Sequence, residues 1–198
     1  MVQRNVCNTS SIREMDAAPP HAPTYALMAD IVAGMRLDPL GLHGLRHRAR
    51  VHALGLHLAA RTGADPAVVC LFAVIHDARR LNDFDDPQHG PRGAALAETL
   101  RATHLAHLTE PQFSLLAAAC RDHTHARTHP DPTIATCFDA DRLDLARVGT
   151  TPHPSRLCTD AARDPALIAA ASEEAGADAL TPLAAEWIRA LSIRDTDH

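Results

Sequence analysis

The sequence predicts an all-α protein, and three observations support that prediction. Aromatic residues make up only 3% of the chain, whereas alanine and leucine, which favour helices over strands, are abundant. Apolar residues recur at spacings of three and four, the period of a helix with one buried face. No useful length shows the alternation of apolar and polar residues that a half-buried strand requires. A bundle of about six to eight helices is therefore expected.

The chain has 198 residues, a length that favours one domain with a core of its own. Residues 1–22 are polar and contain prolines, so they are predicted to be a loosely ordered leader to a helical domain over 23–198. No stretch is long and apolar enough to span a bilayer, and the N-terminus lacks the apolar core of a signal peptide. These features predict a cytoplasmic protein without a membrane partner.

Charge and cysteine content narrow the class of protein. The formal net charge is -5 with histidines neutral, which disfavours a nucleic-acid polymer as partner because such proteins usually present a basic face. A small anionic substrate is compatible with that charge, since a bound metal and a few arginines can reverse the local field. The cysteines show no CxxC spacing. Three of them fall in apolar helical stretches and are predicted to be core residues of a reduced protein: Cys70, Cys120 and Cys137.

The first two helices are predicted from apolar stripes. One is expected to start near Thr24, and the next to run over 44–62, where Gly63 ends it. On this second helix His47 lies four residues before Val51, so a polar side chain occupies the buried stripe.

The third helix is the most informative. Asp65-Pro66 is an N-cap followed by proline at the first helical position. The apolar run over 68–75 then ends at the adjacent pair His76-Asp77. Two polar side chains at the end of a buried helix are unfavourable unless they are paired or bound to a metal.

Similar signals predict the remaining helices. Their expected positions are after the acidic loop at His89, after the Thr109–Gln112 capping box, after Asp131-Pro132, and, for two weaker helices, 159–175 and 179–191. His123 and Asp141 lie on inward stripes of two of these helices. Asp139 is rotated away from that stripe, whereas Asp144 lies near it and stays an alternative to Asp141.

Taken in order, the polar residues of these stripes are His47, His76-Asp77, His89, His123 and Asp141. This order, H…HD…H…H…D on successive helices, resembles the HD-domain superfamily of metal-dependent phosphohydrolases. The strings that carry the resemblance are HRARV, LFAVIHDARR, HGPRGAALA, RDHTHA and DADRLDL, within about residues 43–157. The resemblance implies a single-domain helical bundle of the HD type.

The resemblance also implies a site for one or two divalent or trivalent metal ions. The implied ligands are His47, His76, Asp77 and Asp141 for one ion, and Asp77, His89 and His123 for the other. Imidazole and carboxylate ligands suit Mn, Fe, Co, Ni or Zn, so the metal and the number of ions stay open. Two ions about 3.5–4 Å apart can clamp a phosphoryl group and activate a water. If one ion binds, His89 or His123 is available as acid or base.

The implied enzyme hydrolyses a phosphomonoester or phosphoanhydride, such as a nucleotide, by attack of a metal-bound water. Arg80 lies where several HD relatives carry a phosphate-binding lysine, and arginine offers a bidentate contact there. The alternative is a solvated arginine paired with the acidic loop over 81–88. Arg142 and Arg92 are weaker candidates for a phosphate contact.

The other histidines are predicted to lie outside the ligand set. His43 is expected to have a loop or supporting role, with participation in the site left open. The remaining ones are predicted to face solvent or to lie in loops: His52, His57, His104, His107, His125, His129 and His153. The substrate pocket is expected between the loops after His76, around 124–131 and around 149–155.

Two other functions stay open at the level of sequence. The HD superfamily includes di-iron oxygenases of small polyols or phosphonates with the same ligands, and a metal-binding signalling module without turnover could use the same fold. The sequence does not predict the substrate or an oligomeric state.

Overall fold

The computed structural model describes residues 22–177 and 180–194, so most of the predicted leader lies outside the described residues. Within the described part the chain forms eight α-helices and no strand, which confirms the all-α prediction. The helices are α1 (Tyr25–Ala33), α2 (Leu45–Thr62), α3 (Pro66–Ile75), α4 (His89–Leu100), α5 (Glu110–Asp122), α6 (Pro132–Leu143), α7 (Pro165–Gly176) and α8 (Pro182–Arg194). Two 3-10 turns, Leu145–Val148 and Pro154–Arg156, connect α6 to α7.

The helix starts follow from local hydrogen bonds that the sequence signals predicted. Asp65 and Asp131 each accept from two amides of the first turn that follows, and Thr109 and Gln112 form the predicted capping box. Two starts were predicted wrongly. The helix expected over 179–191 begins at Pro182. The helix expected from 159 begins instead at Pro165, because Asp164 accepts from the amide of Ala166 and repeats the same Asp-Pro cap.

Helix α3 is the centre of the bundle. It packs against α1, α2, α4, α5 and α6, and every residue from Val68 to Ile75 is buried. Enclosure on all sides explains why its sequence is a continuous apolar run rather than an amphipathic stripe. The bundle therefore brings the C-terminal end of α3, with the His76-Asp77 pair, into its interior.

Two glycines allow helices to approach α3 and α5 closely. A Cβ atom on Gly93 of α4 would lie 2.6 Å from the carbonyl oxygen of His76, and one on Gly90 would lie 2.7 Å from that of Arg121. Both obstacles are backbone atoms, which cannot rotate away. These contacts bring the start of α4 close to the ends of α3 and α5.

Helix α8 covers a part of α2 that was predicted to face solvent. The ring of His52 lies edge-on to Trp187, with centroids 6.3 Å apart, and His52 is buried rather than exposed. The spacing of α2 alone does not show that α8 covers this side of the helix. Among the described helices, none is sufficiently long and apolar to cross a membrane.

The Gly93→Ala variant is expected to lower the free energy of unfolding by roughly 1–3 kcal/mol, because its methyl group meets the backbone at His76. Gly176→Ala is the matched control, since a Cβ there meets nothing within 4 Å. That substitution is expected to be neutral or to stabilise by up to about 1 kcal/mol. Urea denaturation compares the two, and equal midpoints would contradict the close approach.

The buried His52 predicts a pH dependence of stability. Burial lowers the pKa of His52 from 6.5 to about 4, so between these values the unfolded chain binds a proton that the folded protein does not. The free energy of unfolding is therefore expected to fall as the pH drops from 6.5 towards 4, by up to about 3 kcal/mol from this ring. His52→Leu is expected to flatten the dependence, and His107→Leu, at an exposed position, to leave it unchanged. Parallel stability curves for all three proteins between pH 7 and 4.5 would refute the prediction.

Candidate metal centre

The sequence-predicted ligands meet where several helices end. His76 is the C-cap residue of α3, His123 is the C-cap residue of α5, and His89 is the first residue of α4. His47 lies in the first turn of α2, and Asp141 lies in the last turn of α6. Side chains that are up to 94 positions apart in the sequence are thereby brought to one end of the bundle.

Four of these residues form one ligand set. The Nε2 atoms of His47 and His76 are 3.2 Å apart. Asp77 Oδ2 lies 3.6 Å from each of them. On the other side, Asp141 Oδ1 lies 3.6 Å from His47 and 3.7 Å from His76. Two nitrogens and two carboxylate oxygens thus surround one small space.

The second oxygen of Asp77 faces another ligand set. Asp77 Oδ1 lies 3.3 Å from His89 Nε2 and 3.8 Å from His123 Nε2, and these two nitrogens are 2.9 Å apart. Thr124 Oγ1 lies 2.9 Å from His89 Nε2 and adds a further oxygen. Asp77 therefore presents one oxygen to each set.

Hydrogen bonds at the opposite ring nitrogens fix the tautomers of all four histidines. Nδ1–H of His47 donates to Asp144 Oδ2 at 2.7 Å. The other three rings donate from Nδ1 to backbone carbonyls: His76 to Phe72 at 2.9 Å, His89 to Asp86 at 2.5 Å and His123 to Cys120 at 2.8 Å. Because each neutral imidazole has one N–H, all four Nε2 atoms carry lone pairs.

Facing lone pairs at these distances repel each other unless a cation or a proton lies between them. Nitrogen and carboxylate donors of this kind suit Mn, Fe, Co, Ni or Zn. Three groups of ligand atoms lie close enough together to hold an ion: His47, His76 and Asp77; His76, His123 and Asp141; and Asp77, His89 and His123. The residues present therefore fit one metal ion or a pair that shares Asp77.

The electrostatics of the site favour neutral rings at His47 and His89 and ionised carboxylates at Asp77 and Asp141. Burial lowers the pKa of His47 to about 3 and that of His89 to about 4, which leaves their Nε2 atoms unprotonated at neutral pH. Burial alone would raise the pKa values of Asp77 and Asp141, but the neighbouring histidines hold both well below the usual range. The pKa of His123 is raised, because Asp77 and Asp141 outweigh its burial.

Asp141 and Asp144, the two alternatives for the last ligand, have different places. Asp141 lies beside His47 and His76, whereas Asp144 contacts the far side of the His47 ring. Asp144 is fully buried and also accepts from Arg50 Nε at 2.6 Å and Arg50 Nη2 at 3.1 Å. Asp144 thus orients a ligand, in the arrangement by which second carboxylates commonly support metal-bound histidines.

The three candidate phosphate-binding arginines differ in their position relative to the site. Arg80 Nη1 lies 3.4 Å from Asp77 Oδ1 and 3.1 Å from His89 Nε2, so it reaches the site. Arg142 lines the same cavity, and its guanidinium donates to the carbonyls of three loop residues, Ala126, Arg127 and Arg156. The interpretation of Arg92 as a phosphate contact is wrong, since it pairs with Asp86 and with the Arg79 carbonyl outside the cavity.

Arg147 is a site residue that the sequence reasoning missed. Its Nη2 lies 4.0 Å from Asp141 Oδ1, and the side chain lines the cavity. It belongs to the 3-10 turn Leu145–Val148, so no helical stripe points to it. Only its position six residues after Asp141 could have suggested it.

Four of the six candidate ligands line the floor of a cavity of about 600 Å³: Asp77, His89, His123 and Asp141. His47 and His76 are fully buried and do not line it. The buried His43 also lines it, with Nδ1 3.0 Å from Asp83 Oδ1 and Nε2 3.9 Å from Asp77 Oδ2. The loop after His76 contributes as expected, and Thr124 contributes from the second expected segment. The third expectation was wrong: the wall is built from Leu145, Arg147 and Val148 rather than from residues 149–155.

Comparison of the chain with protein-family models, with curated proteins and with solved structures finds no match. What is established about the site is therefore its geometry: a buried His/Asp cluster that can hold metal at one end of an all-α bundle.

The Asp144→Asn variant is expected to weaken metal binding by about 10- to 100-fold. If the asparagine oxygen takes the Oδ2 position, the NH2 group faces the Nε–H donor of Arg50. In the opposite orientation the NH2 group faces the Nδ1–H donor of His47. Either arrangement disturbs the tautomer that leaves His47 Nε2 bare. Calorimetric titration of the metal-free protein with Zn²⁺ or Mn²⁺ measures the effect.

Asp139→Asn is the matched control for a structural role. Asp139 is equally buried, but it accepts from the amides of Cys158 and Thr159 instead of a ligand. Both variants are expected to lose roughly 1–3 kcal/mol of stability, and only Asp144→Asn is expected to lose metal affinity. Equal metal affinities in the two variants would show that Asp144 is merely structural.

Proposed function

We propose that this chain is a metal-dependent phosphohydrolase of the HD type, acting on a phosphomonoester or phosphoanhydride of nucleotide-like size. The observation that carries the proposal is the pair of ligand sets joined by Asp77, with the Nε2 atoms of four histidines directed into them. The order of these residues along successive helices, which resembles the HD superfamily, supports it independently.

The charges around the cavity suit an anionic substrate. Asp77, Asp83 and Asp141 line it together with three arginines, Arg80, Arg142 and Arg147, so their formal charges offset one another. Any bound metal ion would make the floor net positive and attract phosphate. A volume of about 600 Å³ lies within the range of small-molecule sites.

The residues divide the work of hydrolysis. One or two bound metal ions would supply Lewis acidity and a nucleophilic water at neutral pH. Asp77 holds the two ligand sets in register, and Arg80 and Arg147 bind phosphate oxygens from opposite sides of the floor. His123, whose pKa is raised, can keep a proton at Nε2 for the leaving oxygen when only the first ligand set is filled.

Metal analysis combined with turnover tests the proposed activity. Metal-free protein reloaded with Mn, Co, Ni, Zn or Fe is expected to release phosphate from a panel of nucleotides and simple phosphate esters, and the metal-free protein is not. Oxygen consumption by the iron-loaded protein without phosphate release would instead favour a di-iron oxygenase. Tight metal binding with neither reaction would favour a non-catalytic module.

The Asp77→Ala variant is expected to lose both metal and turnover, because it removes one ligand from each set. The bundle is expected to stay folded, since the change also removes the repulsion between Asp77 and Asp141. Metal content, helical circular dichroism and phosphate release are the measurements. Asp160→Ala, at an exposed carboxylate, is the control. Full turnover in Asp77→Ala would defeat the assignment.

The Arg80→Ala variant is expected to raise KM by about tenfold or more while the protein keeps its metal, because the proposed task of Arg80 is phosphate binding. Steady-state kinetics and metal content separate this effect from that of Asp77→Ala. Loss of metal in Arg80→Ala would mean that the arginine supports the ligands rather than the substrate.

A further inference from the structure

The cavity has a charged floor and an apolar rim. We use the name apolar rim for four of its lining residues, Leu42, Phe84, Leu145 and Val148. They come from three separate segments: the loop before α2, the loop between α3 and α4, and the 3-10 turn after α6. Three of them are exposed, and Phe84 is 86% exposed. Apolar surface gathered around a polar pocket commonly marks a binding site.

Hydrogen bonds within its loop hold the backbone of Phe84 at the rim. Its amide donates to Asn82 Oδ1 at 2.9 Å, and its carbonyl accepts from Arg80 Nη2 at 3.1 Å. Asn82 Nδ2 in turn donates to the Asp85 carbonyl, and the Leu81 amide donates to Asp86 Oδ2. The loop therefore holds a phenyl ring in solvent, although burial of that ring would be favourable.

The arginines at the floor also hold the rim. Arg80 binds the carbonyl of Phe84 on one side of the cavity. On the other side, Arg147 Nε donates to the carbonyl of Leu42 at 3.1 Å. Each arginine proposed to contact phosphate is thus bonded to the backbone of a rim residue. A molecule bound by its phosphate at the floor would place its organic part against the rim.

We propose that the rim selects the organic part of the substrate, and that this part carries an aromatic ring that stacks on Phe84. The inference rests on the proposed phosphohydrolase function and adds a substrate class to it. A free aromatic face offers stacking that an alkyl or sugar-alcohol group does not match. The rest of the rim supplies apolar contact around that ring.

Two esters with similar leaving groups test the proposal: 3-phenylpropyl phosphate and n-propyl phosphate. Both release a primary alcohol of similar basicity, so a difference in kcat/KM reports the phenyl ring rather than the chemistry. The metal-loaded wild-type protein is expected to favour the phenyl ester by about tenfold, mainly through a lower KM. Equal kcat/KM values for the two esters would overturn the proposal.

Variants at the rim show which residue causes the preference for the phenyl ester. Phe84→Ala is expected to bring the ratio of the two kcat/KM values close to one, and Phe84→Trp to keep it. Leu81→Ala is the matched control, because Leu81 is exposed on the same loop and lies outside the cavity lining; its ratio is expected to equal that of the wild type. An unchanged ratio in Phe84→Ala would overturn the assignment to Phe84.

Two further results, dimer formation and a lack of phosphate release, have their own interpretations. If a concentration-dependent dimer is seen for the wild type and lost in Phe84→Ala, the rim is a contact between copies and the proposal is wrong. If neither ester releases phosphate, and no nucleotide or other phosphate ester of the panel described above does so either, the proposed hydrolase function fails. Calorimetric binding of the two esters to the metal-loaded protein then tests the proposed role of the rim separately. Tighter binding of the phenyl ester supports selection of an aromatic group by the rim, and equal binding overturns it.

Discussion

Four hydrogen bonds donated by imidazole Nδ1–H groups are the constraint on which the site depends. Each bond fixes one ring as a donor on its outer side and leaves a bare Nε2 on its inner side. Three of the acceptors are backbone carbonyls three or four residues before the histidine: two belong to the ends of α3 and α5, and the third, of Asp86, belongs to the loop before α4. The fourth acceptor is Asp144, which Arg50 holds in place. Rotating any ring would break a buried hydrogen bond, and for this reason the four Nε2 atoms stay directed at one another.

The bundle supports this arrangement by bringing helix ends together. The apolar run of α3 places His76 and Asp77 deep in the interior, and the absence of a side chain at Gly93 lets α4 pass directly over the His76 carbonyl. His89 at the start of α4 is thereby brought close enough to share Asp77 with His123. A buried carboxylate with two imidazoles near each oxygen is unfavourable without compensation, and the large apolar core around α3 supplies the stability that allows it.

Three arginines connect the floor of the cavity to the loops around it. Arg80 and Arg147 contact the carboxylates of the floor and also the backbone of the loops above it. Arg142 in turn fixes the loops after α5 and after α6 through their carbonyls. Charged side chains thus connect the loops that form the walls of the cavity.

The sequence by itself determined the helices and most of the residues that meet at the site. Caps and prolines act locally, so Asp65, Thr109 and Asp131 specify their helix starts without reference to the rest of the chain. The stripe period likewise separated Asp141, which faces the ligand set, from Asp139, which is buried on another side of α6 against Cys158 and Thr159. Only the tertiary structure decided what lies between helices: the burial of His52 under Trp187, the pairing of Arg92 with Asp86, and the entry of Arg147 into the cavity. It also decided that Asp144 orients His47 while Asp141 faces the ligand set, because both lie near one stripe and only the approach of α2 to α6 distinguishes them.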